Sequence, residues 1–425
     1  MVVGIIAEYN PFHNGHRYQI EQIKNKIKNA NIVAIMSGSF TQRGEPAILD
    51  KFTRAALAIN GGCDLVLELP FVYAVRSAQN FARGGINILK SIGITDFLAF
   101  GAEVNDINLL KFVADTIHTE KFNDELKEGL SIGLSYANAM CKSLSKVTGI
   151  DEEILRAPNV ILAIEYLREI KSTSIQPILI PRIKTAHNDN QLHSGISSAA
   201  AIRKSIYSKS PAWNLISESI DKKTLNILQA AELPLIERLF LPLITKIISS
   251  DITDLRNIYG MNEGLENKFI HAAHTTGNFK EFIDSIISQR YTRSRIQRLI
   301  LYLITELRKK DVEKFNDISY ARILAFNQRG RELLKTIKKS ASIPIITKTS
   351  QHLKSQAIYN QRYISKEYQE LLRLDVISTD IHSILYENIK LNQDFLTSPL
   401  YLPKCAEKPL ASSMWMKSAK KLAFN

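Results

Sequence analysis

Val2-Val3-Gly4-Ile5-Ile6-Ala7, followed at once by Glu8-Tyr9-Asn10-Pro11-Phe12-His13-Asn14-Gly15-His16, opens the chain and decides how the rest is read. The first six residues are apolar and largely β-branched, as a buried strand requires. No basic region precedes them and no cleavage site follows, so they read as a strand and not as a signal peptide. From Gly15 to about Lys28, Ile20, Ile23 and Ile27 recur at helical spacing among many charges. Two histidines separated by Asn-Gly therefore fall at a strand-to-helix junction. Backbone N–H groups and the positive end of the helix dipole meet an anion at such a junction. Imidazoles add donors to the oxygens of a phosphate under attack, and Gly15 lets the backbone come close. The plainer alternative is a helix cap with incidental histidines, or half of a metal site. A metal would need further His, Cys or Asp at defined spacing, and none is adjacent.

The alternation continues outward. Ile32–Met36, Asp64–Leu69, Asp96–Phe100 and Ile175–Ile180 are short apolar runs. Helical stretches at Asp50–Asn60, Arg76–Ser91 and 107–172 separate them, the last broken at Pro158. This pattern predicts an α/β, Rossmann-like domain with a buried parallel sheet, whose ligands bind at the carboxyl ends of the strands. A polar loop around Gly38, Gly44 and Pro46 follows the second strand, and another spans Pro181–Gly195 before a helix at Ser197–Tyr207. From about 212 to 340 the spacing is mostly helical. Beyond 341 come a β-like run at Ile343–Ile346, further helix and a basic end. The expected division is a catalytic domain over 1–210, a helical domain over 211–340 and a basic, mostly helical region over 341–425.

The 425 residues are 45% hydrophobic and 23% charged, a soluble globular composition. No window approaches the roughly 20 apolar residues of a membrane span. Cys63, Cys141 and Cys405 lie far apart, as expected of reduced thiols in the cytoplasm. The net charge of +13 is unevenly placed: residues 1–280 carry +2 and residues 281–425 carry +11. Either a polyanion docks on the last third, or that surface is simply solvated.

His13-x-Gly15-His16 after the first strand resembles the signature of the HIGH-type nucleotidyltransferases. The longer opening string resembles one branch more closely, the bacterial tRNA(Met) cytidine acetate ligases. Ser37 to Ala47, Asp50 to Arg54, Asp64 to Pro70, Phe100 to Glu103, Pro158-Asn159, Pro181-Arg182, Ser198 to Arg203 and Tyr291 to Arg295 fit that branch in the same order. The resemblance implies that acetate attacks the α-phosphate of ATP, with magnesium, to give acetyl-adenylate and pyrophosphate. The wobble cytidine of elongator tRNA(Met) then takes the acetyl group on N4 and releases AMP. It maps ATP binding onto Ala7, Glu8, Tyr9, Asn10, Pro11, Phe12, His13, Asn14, Gly15, His16, Arg17, Tyr18, Gln19 and Ile20, completed by Gly101, Asn159 and Arg182. His13 and His16 become the catalytic pair. No membrane and no stable protein partner is expected.

Residue chemistry agrees with this mapping. Gly101, at the end of the fourth strand, leaves room for adenine. Asn159 pairs with base or ribose through its amide, or caps the next helix. Arg182 offers a fork suited to phosphate, or a surface salt bridge, and Arg203 is a second phosphate candidate. Ala200 departs from the pattern, since related enzymes commonly carry a hydroxyl there, so backbone N–H groups would have to serve. Gln42 and Arg43 sit in a loop that reads as a mobile lid over the triphosphate or the acceptor base, or as an ordinary polar β–α loop, and Lys51 and Arg54 face phosphate or water. Arg293, Arg295 and Arg298 cluster at a helix amino terminus, where the dipole disfavours them and an RNA phosphate explains them. Lys309, Lys310, Lys338, Lys339, Lys417, Lys420 and Lys421 extend the basic surface, while Tyr291, Tyr359 and Tyr363 are candidates for stacking on unpaired bases. The rival readings are an adenylyltransferase of a small metabolite, an acetate:thiol ligase acting on a carrier protein, and a non-catalytic RNA-binding module.

Overall fold

A computed structural model describes residues 1–182, 191–193, 195–315 and 317–403. Eight strands form one sheet: β1 Val2–Ala7, β2 Asn31–Ser37, β3 Leu65–Leu69, β4 Phe97–Ala102, β5 Gln176–Pro181, β6 Ala321–Phe326, β7 Ile345–Ile346 and β8 Leu400–Tyr401. The order is β5-β4-β1-β2-β3-β6-β7, with β8 also on β6. β1 to β5 pair in parallel, Ala7 lying opposite Met36 and Gly101 opposite Ile180. Parallel strands need both faces covered. Along β1 the side chains alternate between two cores: Val2 and Ile6 join one, Val3 and Ile5 the other.

Two helices set the geometry near β1 and β2. α1 Asn14–Lys26 begins directly after the opening motif and buries Ile20 and Ile23 against the sheet. α2 Lys51–Asn60 starts at Asp50, whose carboxylate accepts from the backbone N–H of Phe52 and Thr53. An acceptor there satisfies donors that the helix itself leaves unpaired.

The sequence pattern misses β6. It lies inside the stretch read as helical, because Ala321–Phe326 is a short apolar run whose length and periodicity do not separate a strand from a buried helix. β6 runs antiparallel to β3, and Leu65 pairs with Phe326. The last third of the chain thus returns to the sheet begun by the first residues. The β-like run is realised only as Ile345–Ile346, which pairs with β6. Among the described residues no helix is long and apolar enough to cross a membrane. Cys63 and Cys141 are buried thiols, while Cys405, Lys417, Lys420 and Lys421 and most of the 181–195 loop lie outside the described residues.

Lys51 and Arg54 face neither phosphate nor water. Lys51 Nζ lies 2.7 Å from Glu68 and 2.9 Å from Asp394. Arg322 on β6 reaches the same two carboxylates, at 3.2 and 2.9 Å. Arg54 donates to the main-chain oxygens of Glu8, Ser37, Gly38 and Leu49, fastening the ends of β1 and β2. Removing one member of a buried charge set strands the rest, at a cost of about 3–5 kcal/mol. Arg322→Met is therefore expected to lose stability of that order, read as a lower midpoint in urea denaturation at unchanged slope.

Candidate active site

A cavity of about 1790 Å³ opens at the carboxyl ends of β1, β4 and β5, where Ala7, Gly101 and Pro181 line it. Six helices point their amino termini into its walls. They are α1 and the helices Ala78–Ser91, Tyr136–Thr148, Pro158–Ile170, Ala199–Ile206 and Arg293–Thr305. Each end carries partial positive charge. Among the described residues ten Arg or Lys side chains line the cavity against five Glu, a balance that favours a polyanion.

His13 and His16 stand at the mouth of α1 with ring centroids 3.8 Å apart. His13 is the N-cap: its Nδ1 accepts from Gly15 N–H at 3.0 Å. His16 Nδ1 accepts in turn from His13 N–H at 3.2 Å. A ring nitrogen that accepts carries no proton, so each neutral imidazole holds its hydrogen on Nε2. Desolvation, then Arg182 and Arg203, pushes His13 down to about 3. Desolvation, His13 and Arg182 likewise hold His16 well below its ordinary value. The pair is thus two neutral Nε2–H donors. These are groups that stabilise oxyanions and not groups that carry protons between substrates.

The backbone beneath the pair is held in an uncommon conformation. Tyr9 takes φ of 47°, left-handed for a bulky residue. Its ring packs 5.0 Å from Phe12 and 4.8 Å from His16, and its hydroxyl bonds Cys63 at 3.7 Å. Asn10 Oδ1 accepts from Ile48 N–H at 2.7 Å, which fixes the amide with its buried Nδ2 unpartnered. Asn10 lines the cavity beside the histidines.

Of the predicted ATP stretch, Ala7, Glu8, Tyr9, Asn10, His13, Gly15, His16, Tyr18 and Gln19 line the cavity, as do Gly101, Asn159, Arg182 and Arg203. Pro11, Phe12, Asn14, Arg17 and Ile20 do not. Phe12 and Ile20 are core residues, and Asn14 donates to the main chain at Gly195 and Glu218. Arg17 pairs with Asp221 at 3.0 Å. Asn159 caps nothing, because the N-cap of its helix is Ala157; its amide donates to Glu103 at 2.5 Å. Gly101 sits within β4 and not at its end, and a Cβ there would come 3.2 Å from Arg182 Cγ. Its bareness makes room for the arginine. Arg203 reaches the Asn10 carbonyl at 2.7 Å and Glu45 at 3.1 Å.

The loop read as a mobile lid is pinned. Gln42 N–H donates to Glu8, its amide to the Arg76 carbonyl at 2.7 Å, and Arg298 donates to the Gln42 carbonyl at 3.3 Å. Gly44, at φ 80°, abuts helix Arg293–Thr305 so closely that a Cβ would meet Arg298 N at 2.8 Å. Arg295 and Arg298 line the cavity, but Arg293 does not and pairs with Asp284. Tyr291 is buried, its hydroxyl 3.0 Å from Glu263, and stacks on no base; Tyr359 and Tyr363 are exposed. Sequence reasoning missed Arg76 and Tyr259, single residues at element ends whose only signal is a lone polar group after an apolar run.

A family model described as HIGH Nucleotidyl Transferase matches residues 1–395. A tRNA(Met) cytidine acetate ligase of Acetivibrio thermocellus is 38% identical over 405 residues, 91% of this chain and 95% of that relative. Another, from Caldanaerobacter subterraneus subsp. tengcongensis, is 39% identical over 403 residues, 92% and 97% of the two chains. The crystal structure of Thermotoga maritima TmcAL in its apo form superposes with a TM-score of 0.85 at 32% identity, covering 95% of this chain and 99% of that one. The same protein bound with alpha-thio ATP gives 0.83 over the same shares. A parallel sheet with two neutral imidazoles at the turn after its first strand defines a nucleotidyltransferase site. The chain belongs to the HIGH nucleotidyltransferase family, in its branch of tRNA(Met) cytidine acetate ligases.

Nitrogen-15 spectra of the imidazoles should find His13 and His16 neutral, with the proton on Nε2, throughout about pH 5 to 8. The unfolded histidines protonate near about 6.5 and the folded pair does not, so acid below that value favours unfolding. A titration of either ring near 6.5 in the folded protein would contradict the assignment.

Proposed function

We propose that this chain is an ATP-dependent ligase that activates acetate as acetyl-adenylate and acetylates N4 of the wobble cytidine of elongator tRNA(Met). The observation that carries the reading is the neutral Nε2–H pair at the amino terminus of α1, inside a positively lined cavity. The relatives' names supply the acceptor, and the alpha-thio ATP complex of the Thermotoga maritima protein supports the nucleotide.

In the first step an acetate oxygen bonds to the α-phosphorus as the bond to pyrophosphate breaks. Charge gathers on the non-bridging oxygens, where two preorganised neutral donors act without reorganising. Neutral donors suit this task, since a protonated pair at 3.8 Å would repel itself. Arg182, with no acidic partner among the described residues, is placed for the triphosphate beside the amino terminus of helix Ala199–Ile206. In the second step the cytidine amine attacks the acetyl carbonyl, AMP departs and N4 gives up a proton. Arg295 and Arg298 also line the cavity and are assigned to the tRNA, so ATP chemistry falls to residues 1–210 and RNA contact largely to 211–340. Magnesium would enter with ATP and neutralise charge on its phosphates.

Labelled acetate, ATP and bacterial tRNA test the reading, with label expected in tRNA as N4-acetylcytidine. Removal of one oxyanion donor costs about 10²–10³ in rate, so His16→Ala should reduce acetate-dependent pyrophosphate release by at least that range. Pyrophosphate without labelled tRNA would move the assignment to a different acceptor.

A further inference from the structure

The cavity's second wall contains a charge arrangement that the nucleotide does not account for. Arg76 and Arg298 both line it, and neither has an acidic partner among the described residues. The Arg76 guanidinium lies over the Tyr259 ring at 4.8 Å and donates to its hydroxyl at 2.8 Å. Its Nε is buried and unpartnered. Tyr259 packs 5.3 Å from Tyr302, so the aromatic pair links Arg76 to the helix that carries Arg298 one turn before Tyr302. Arg298 is half-buried, and desolvation lowers its basicity. Arg43, exposed on the same wall, follows Gln42 directly.

Gln42 holds these parts in register. Its backbone N–H is fixed to Glu8 at the end of β1, its amide to the main chain of Arg76, and its carbonyl to Arg298. One residue thus ties the histidine-bearing turn to the Arg298 guanidinium and to the main chain that carries Arg76. Partly desolvated cations without counter-charge are costly unless an anion completes them. Planar forks that stack on aromatic rings suit a phosphodiester better than a point charge does.

We propose that Arg76 and Arg298, with Arg43 beside them, form a receptor for one backbone phosphate of the acceptor RNA, set by Gln42 at a fixed distance from the histidine pair. The phosphate next to the target nucleotide docks there, and the amine is thereby delivered to the acyl group. The inference rests on the ligase reading. The same guanidinium groups would also accept the terminal phosphates of ATP, and the experiment separates the two sources.

Arg76→Met keeps the aliphatic stem against Tyr259 and removes the fork. With the full chain, the KM for tRNA in acetyl transfer should rise about tenfold or more. The dependence of log affinity for tRNA on log salt should lose about one phosphate contact. The KM for ATP is read in parallel from acetate-dependent pyrophosphate release without tRNA. A rise in the ATP value equal to the tRNA shift assigns the arginines to the triphosphate and overturns the proposal. An unchanged tRNA KM and salt slope overturns it as well. Arg298→Gln gives the same pair of readings if the first variant fails to fold. Wild-type protein that releases pyrophosphate yet acetylates no tRNA would overturn the ligase reading itself, and this inference with it.

Discussion

Lys51, Glu68, Arg322 and Asp394 are drawn from α2, β3, β6 and the short helix Gln393–Leu396, each about 1% exposed. Two positive and two negative groups balance, and that balance is what permits their burial. Burial alone would raise Asp394, yet Arg322 and Lys51 hold it down at about 2. Asp375, next to the set, goes the other way: burial and then Glu68 push it up to about 7, and Tyr320 donates to it. Such a network is matched to a single geometry. It forces β6 against β3 and sets α2 on the sheet, and Arg54 of α2 holds the ends of β1 and β2. The floor beneath the histidine turn is therefore fixed by charges that never approach substrate.

Above that floor the electrostatics have a different design. Helix amino termini, backbone N–H groups and arginines leave positive potential uncompensated, and the two imidazoles are kept neutral within it. Their neutrality follows from position. Burial above all disfavours the charged ring, each Nδ1 is engaged by the main chain, and Arg182 and Arg203 further oppose a proton on His13. A cavity lined by fixed dipoles and guanidinium groups attracts phosphate.

The parallel half of the fold was legible because β1 to β5 each combine an apolar run with a following helix start, and the His-x-Gly-His turn places the site at one strand end. β6 was not legible. Its six residues carry no alternation, and their meaning comes from a partner strand some 250 residues earlier. The same limit applies at the site. His13 and His16 announce themselves by local spacing, and Gly101 by its place near a strand end. Lys51 and Arg54 look like phosphate ligands in sequence and prove to be buried struts, because their acceptors come from elsewhere in the chain. Arg76 and Tyr259 meet only in the fold, so neither had a signal to give.

The antiparallel join between β3 and β6 also orders events in time. β3 ends at Leu69 and its partner ends at Phe326. At about 5–20 residues per second, synthesis separates the two by roughly ten to fifty seconds. During that interval the growing chain holds a parallel sheet whose β3 edge has no neighbour, with the Lys51–Glu68 pair still lacking Arg322 and Asp394. An open edge of that kind pairs readily with other chains. The nascent protein is most vulnerable to aggregation in that window, so a slow codon before residue 320 would lengthen the exposure and one after residue 400 would not.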